Sequence, residues 1–126
     1  MKKNVSDWSL LILRIGFAGM MLTHGIPKIN MLFESPIKFA DPLGLGETTT
    51  LILTIIGEVV APVLILIGFK TKLASIPAII TMVVAAFVVH ANDPIDVKEK
   101  ALLYLIAFIA IFMQGAGKFS VDGYKK

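Results

Sequence analysis

Cysteine is missing from the chain, and with it go disulfides, thiolate nucleophiles, iron–sulfur ligation and cysteine-based zinc sites. Charge is scarce as well. Only 17% of the 126 residues are Asp, Glu, Lys or Arg, and the net charge is +3. The lysines gather at segment ends, where they read as membrane orientation signals rather than a nucleic-acid surface. No basic stripe and no RNA- or DNA-reading motif is present, so no nucleic-acid partner is expected.

What the chain has in excess is apolar surface. Hydrophobic residues make up 56% of it and the mean hydropathy is +0.84, against about 45–50% apolar residues, glycine included, in ordinary soluble domains. Four apolar stretches carry the excess: Trp8 to Thr23, Leu51 to Phe69, Ala74 to Val89, and Ala101 to Met113. A helix needs roughly 17–25 residues to cross the hydrocarbon, so the second stretch is sufficient and the others must borrow flanking residues. The fold expected is all-α: a single domain over 1–126, a membrane-spanning four-helix bundle with helices at about 8–27, 49–69, 73–90 and 97–115. The outer loop between the first two helices is expected to be partly helical or interfacial, because Pro27, Pro36, Pro42 and Gly44-Leu45-Gly46 are interleaved with Ile29, Met31, Leu32, Phe33, Ile37 and Phe39. Arg14 interrupts the first run and no A-x-A-like site comes after it, so the first helix is expected to stay uncleaved.

With the N-terminus inside, Lys2, Lys3, Lys70, Lys72, Lys118, Lys125 and Lys126 fall on the inner side, and Lys28, Lys38, Lys98 and Lys100 on the outer. The positive-inside rule then predicts a multi-pass cell-membrane protein with both termini cytoplasmic. Only Lys70-Thr71-Lys72 separates the second and third runs, with Gly68 as the helix stop, which predicts an antiparallel hairpin. Asn92-Asp93-Pro94 predicts a turn, Asp96 a cap for the fourth helix, and Glu99 a favourable charge in its first turn.

Two ionisable residues lie inside apolar runs. Arg14 and Glu58 each cost about 2.5–3.5 kcal/mol on insertion scales, so both should face inward. Counting the helical rise from the edges of the runs puts them at similar depth and predicts an Arg14–Glu58 ion pair. Such a pair fixes helix register whether or not it has a functional role. Pro62 has no N–H, which frees the Glu58 carbonyl and predicts a kink there, with Gly57 permitting close approach. Arg14, His24 and Lys28 share a helix face by i, i+3, i+4 spacing. His24, Lys28, His90 and Glu99 are thus expected around an outer rim, with Arg14 and Glu58 deeper. Two facing histidines are the residue type that ligates haem between helices, and with Glu58 or Glu99 they are the ligand types of zinc or iron. No diagnostic spacing accompanies them, so no metal site is assigned. A histidine and a carboxylate at the edge of an apolar cleft also suit the carbonyl oxygens of a quinone, since histidine exchanges protons in the physiological range.

The residues Leu11-Ile12-Leu13-Arg14-Ile15-Gly16, His24-Gly25 with Lys28, Gly57-Glu58 ahead of Leu66-Ile67-Gly68-Phe69-Lys70-Thr71, His90, Glu99-Lys100-Ala101, and Gly115-Ala116-Gly117-Lys118-Phe119-Ser120-Val121-Asp122 together resemble the DoxX family of small membrane proteins. The likeness spans nearly the whole chain, and its most specific element is the terminal box with Gly115, Gly117, Ser120 and Asp122. The resemblance implies a four-helix membrane bundle with Arg14, His24, Glu58, His90 and Ser120-Asp122 on family-pattern positions. It also implies a link to a thiosulfate:quinone oxidoreductase, or to membrane oxidoreductase assemblies with superoxide dismutase and sulfurtransferase partners.

Two functions stand as expectations. One is a membrane subunit of an oxidoreductase complex with a quinone or other small-molecule pocket, a redox partner protein supplying electrons. The other is a non-catalytic scaffold or lipid-binding protein in which the polar cluster is structural. The bilayer is the expected partner in both, and the Gly16-x-x-Gly19 run permits a homo-oligomer.

Overall fold

A computed structural model of the chain describes residues 2–124. Among them the structure is helical without strands. Helix α1 runs Lys2–Met31, α2 Glu47–Ile67, α3 Thr71–Val89, α4 Ile95–Gln114, and a single turn, α5, Val121–Tyr124. Helices α1, α2 and α3 are long and apolar enough to cross a membrane. Helix α4 falls outside that class, because Asp96, Lys98, Glu99 and Lys100 occupy its first turns. The large apolar side chains of the spans point outward, Ile12, Ile80 and Phe87 among them, whereas the packed interior is rich in alanine, with Ala18, Ala61, Ala74 and Ala78 buried. Small residues inside and bulky ones outside suit helices whose solvent is lipid. The chain is a multi-pass membrane protein.

Helix α1 starts well before Trp8 and continues through Pro27 to Met31, so both of its ends lie beyond the 8–27 expected. The residues just after Gly25 are therefore span rather than loop. The segment from 32 to 46 contains no helix and folds back over the helix ends. Asp41 organises it, since its carboxylate accepts the N–H of Leu45 and Gly46 and the hydroxyl of Thr50 at 2.7–2.9 Å. Helix α4 begins directly after Pro94, which puts Asp96 in the first turn rather than at the cap. Asp93 meets His90 instead.

Helix α2 ends where glycine allows it. Gly68 takes φ 73, a left-handed value that costs other L-residues roughly 1–2 kcal/mol. The Phe69 N–H donates to the Leu64 carbonyl and the Gly68 N–H to that of Ile65, which is the Schellman pattern. Helix α3 returns immediately, antiparallel. The 68–70 turn therefore shares one end of the helices with the described chain ends, here the terminal end, while residues 32–46 and 90–94 lie at the loop end.

Two stretches inside the spans are wound as π-helix, Ile56–Val60 in α2 and Ala85–Val89 in α3. The first has a visible cause: Pro62 cannot donate to the Glu58 carbonyl, and the Ala61 N–H reaches back to Ile56. The second ends with the His90 N–H on the Ala85 carbonyl at 3.0 Å. Single π turns are enriched at functional sites; the first is mid-span in α2 and the second at the loop end of α3, and Glu58 and Ala85 from the two line the same cavity.

Candidate functional site

The ion pair expected between Arg14 and Glu58 is not formed. Arg14 is 0% exposed and stands at the terminal end, where its guanidinium donates to backbone carbonyls of Ile65 and Leu66 in the last turn of α2 and of Ala116 beyond α4, each at 2.9 Å. A fourth donation goes to the Phe119 carbonyl. Glu58 lies seven residues up α2 from Ile65, about 10 Å by the helical rise. Counting depth from the edges of the apolar runs fails because α1 starts earlier than its run. The physical reason for the partner chosen is the helix end itself: the last carbonyls of a helix lack intrahelical donors and carry the negative end of its dipole. A planar fork of five donors satisfies several of them together.

The terminal box completes the same junction. Gly115 and Gly117 take φ 80 and 82, and Ser120 Oγ donates to the Gly117 carbonyl while accepting the Gly123 N–H. Asp122 reaches across to another helix, its carboxylate accepting the N–H of Lys70 and Thr71 at the start of α3 at 2.8 and 2.9 Å. Its own N–H donates to the Gly68 carbonyl. Arg14 thus closes the end of α2 and Asp122 the start of α3, so the box acts beyond its own exit turn.

Other sequence-identified residues meet between mid-span, where Glu58 lies, and the loop end. Glu58, 6% exposed, is ion-paired with Lys28. The approach depends on Gly25, where a Cβ would fall 2.3 Å from the Glu58 carbonyl oxygen. Across the helix, a Cβ on Gly57 would fall 1.9 Å from Thr81 Oγ1, so glycine on either side lets α1 and α3 close on the π-helical turn that carries Glu58.

Two cavities adjoin the pair and share Lys28, Glu58 and Ala85 in their walls. The polar one, about 260 Å³, is bounded by His24, His90, Lys100 and Tyr104. His24 and Tyr104 meet edge to face with ring centroids 6.0 Å apart, and the Tyr104 ring stacks on Phe108. His90 Nδ1 lies 2.8 Å from Asp93 Oδ2, which orients its ring from outside. The apolar one, about 230 Å³, runs beneath the 39–45 loop between Leu53, Ile80 and Val84. Its far wall is Phe39, Leu43 and Leu45.

Of the rim residues expected, His24, Lys28 and His90 come together, whereas Glu99 does not join them; Glu58, expected deeper beside Arg14, lines the same cavity. Val97, Lys100, Ala101 and Tyr104 line the polar cavity at i, i+3, i+4, i+7 spacing, and Glu99 sits off that face, exposed. Lys100 and Tyr104 are the members that sequence reasoning misses. Their in-phase spacing with Val97 and Ala101 is the signal that could have found them. Among the described residues no three His, Asp or Glu side chains converge as a metal site.

Against known proteins, the DoxX family model matches residues 9–91. The chain is 29% identical over 125 residues to an uncharacterized protein of Haemophilus influenzae, covering 93% of this chain and 83% of the relative. A second uncharacterized protein of the same organism is 31% identical over 121 residues, covering 90% and 87%. No solved structure matches.

Proposed function

Because the chain belongs to the DoxX family, we propose that it serves as the membrane subunit of an oxidoreductase assembly, its four helices forming a membrane-spanning bundle that holds a quinone at the loop end. The observation that carries this reading is the Lys28–Glu58 pair standing between a polar and an apolar cavity. An amphiphile with a carbonyl-bearing ring and an isoprenoid tail has that division. The ring occupies the polar side, where Tyr104, His24 and Lys28 donate to its oxygens, and the tail leaves under the 39–45 loop. Reduction to the quinol takes two electrons and two protons. Lys28 and Glu58 supply a proton path from the His90 side, and a partner redox protein supplies the electrons. With no cysteine in the chain, any sulfur transfer belongs to that partner.

Placement of the chain ends on the cytoplasmic face is part of the reading, supported by Lys2, Lys3, Lys70, Lys72 and Lys118 at the terminal end against four lysines at the loop end, Lys125 and Lys126 lying outside the described residues. A Cβ on Gly16 or Gly19 would meet nothing within 4 Å, which supports a close crossing with a second copy.

The test is equilibrium binding of a short-chain ubiquinone to the purified protein in nanodiscs, with Tyr104→Phe, His24→Ala and Glu58→Gln alongside. Saturable binding weakened by each substitution is the expected result; no binding by the unaltered protein ends the proposal. A second reading, a non-catalytic scaffold or lipid-binding protein, is favoured by the fact that Lys28 and Glu58 already satisfy each other. It predicts that Lys28→Met with Glu58→Met keeps both the fold and the host complex's activity, because a buried pair can give way to apolar residues without loss.

A further inference from the structure

A cleft larger than either of the two cavities at the Lys28–Glu58 pair lies at the opposite end and takes no part in quinone binding. It is a cleft of about 1010 Å³ at the terminal end, between the first turns of α1, the start of α3 and the exit from α4. That is the upper end of the range for ligand sites, about 300–1,000 Å³. Lys70, Lys72 and Lys118 line it, and none has an acidic partner among the described residues. Two carboxylates share the wall, Asp7 accepting the Lys118 N–H at 3.2 Å and Asp122 those of Lys70 and Thr71, so the three lysines leave the lining with a net positive charge. Thr71 also lines the cleft, is 1% exposed, and its Oγ1 is buried without a hydrogen-bond partner. A buried hydroxyl without a partner, beside three lysines that form no salt bridge with the described residues, suits an anion with several acceptor oxygens.

The surroundings say which anion. Trp8 packs on Phe119 with ring centroids 4.7 Å apart, and both are exposed, as aromatic residues are at a membrane–water boundary. The Lys118 ammonium lies over the Phe119 ring and that of Lys70 over Phe69, at 6.0 and 5.7 Å, which seats each cation on an aromatic face. Leu10 and the largely exposed Leu73 continue the wall in apolar character. We propose that this cleft binds an anionic phospholipid of the leaflet facing the chain ends, its phosphate between Lys70, Lys72 and Lys118 and its glycerol and upper acyl carbons against Leu10 and Leu73. Basic pockets between spans take such headgroups. The interaction is independent of the loop-end site.

The test uses native mass spectrometry of the full chain released from micelles holding equimolar phosphatidylglycerol and phosphatidylcholine. Lys72 and Lys118 are exposed, so Lys72→Gln with Lys118→Gln removes charge without disturbing packing. Each lysine is worth about five-fold in affinity for an anionic surface, and the double substitution should cut the preference for phosphatidylglycerol by about 25-fold. In the unaltered protein, phosphatidylglycerol and not phosphatidylcholine should protect the amides of residues 70–73 from hydrogen exchange. That measurement stands without any variant. Equal retention of the two lipids, a preference surviving the double substitution, or displacement of phosphatidylglycerol by millimolar inorganic phosphate each overturns the proposal, the last by assigning the cleft to a free anion.

Discussion

Replacing Arg14 by methionine removes a group that joins α1, the end of α2 and the segment after α4. Its guanidinium donates to carbonyls of Ile65, Leu66, Ala116 and Phe119. Hydrogen bonds to charged groups contribute about 1.5–3 kcal/mol each, so simple addition gives about 6–12 kcal/mol. Removing a buried charge also removes its desolvation cost, several kcal/mol, and bonds made by one group are not additive. The expected net loss is about 3–5 kcal/mol, the range for breaking a buried charged network. Arg14→Lys should lose less, about 2–3 kcal/mol, because an ammonium has three donors and no planar fork. Unfolding in mixed micelles as SDS is titrated gives the stability difference, and brief proteolysis reports whether residues 115–124 have come free. Arg14→Met losing less than about 1 kcal/mol, with the terminal segment still protected, would refute the account of what this arginine does.

Gly25→Ala should destabilise by about 1–3 kcal/mol, since the added methyl meets the Glu58 backbone at 2.3 Å and not a movable side chain. Thermal unfolding of Gly25→Ala indistinguishable from that of the unaltered protein would discount the close approach. Asp122→Asn keeps one carbonyl oxygen for the two amides of Lys70 and Thr71, and the expected cost is about 1 kcal/mol with faster exchange of both amides. The Asp41 carboxyl lies outside the spans and titrates below the ordinary carboxylate value, held down first by the Thr50 hydroxyl and then by the backbone N–H of Gly46 and Leu45. A pKa lower in the folded state gives stability present above the unfolded value and lost as pH falls through the folded one. Protection of the Leu45 and Gly46 amides should therefore hold above pH about 4 and decay below it, and Asp41→Asn should remove that pH dependence.

The spans, the stop at Gly68 and the tight hairpin after it were legible because lipid and backbone geometry select residues by type. So was the grouping of His24, Lys28 and His90, since each is polar towards the outer end of an apolar run and has few directions to face; Glu58, mid-span, was expected beside Arg14 and meets Lys28 instead. Arg14's partners were not legible. They are carbonyl oxygens, which every residue has, so Ile65, Leu66, Ala116 and Phe119 carry no mark of the role. Depth counted from hydropathy also shifted with the unseen first turns of α1, and that placed Glu58 opposite the wrong cation. The π turn at Glu58 left a trace in Pro62, but the one at Ala85–Val89 has no proline within it and no comparable signal. Tyr104 and Lys100 read as core aromatic and surface charge until α4 is given a phase.

The reach of Arg14 along the chain sets an order of events in synthesis. Its carbonyl partner at Ala116 lies 102 residues downstream, which at translation speeds of about 5–20 residues per second means a wait of roughly 5–20 s. Throughout that interval the nascent chain carries a cation in its first span with part of its coordination missing, and the insertion machinery or lipid phosphate must shelter it. The turn Val121–Tyr124 is then a closing step: the hairpins lock only once the chain has been made as far as that turn.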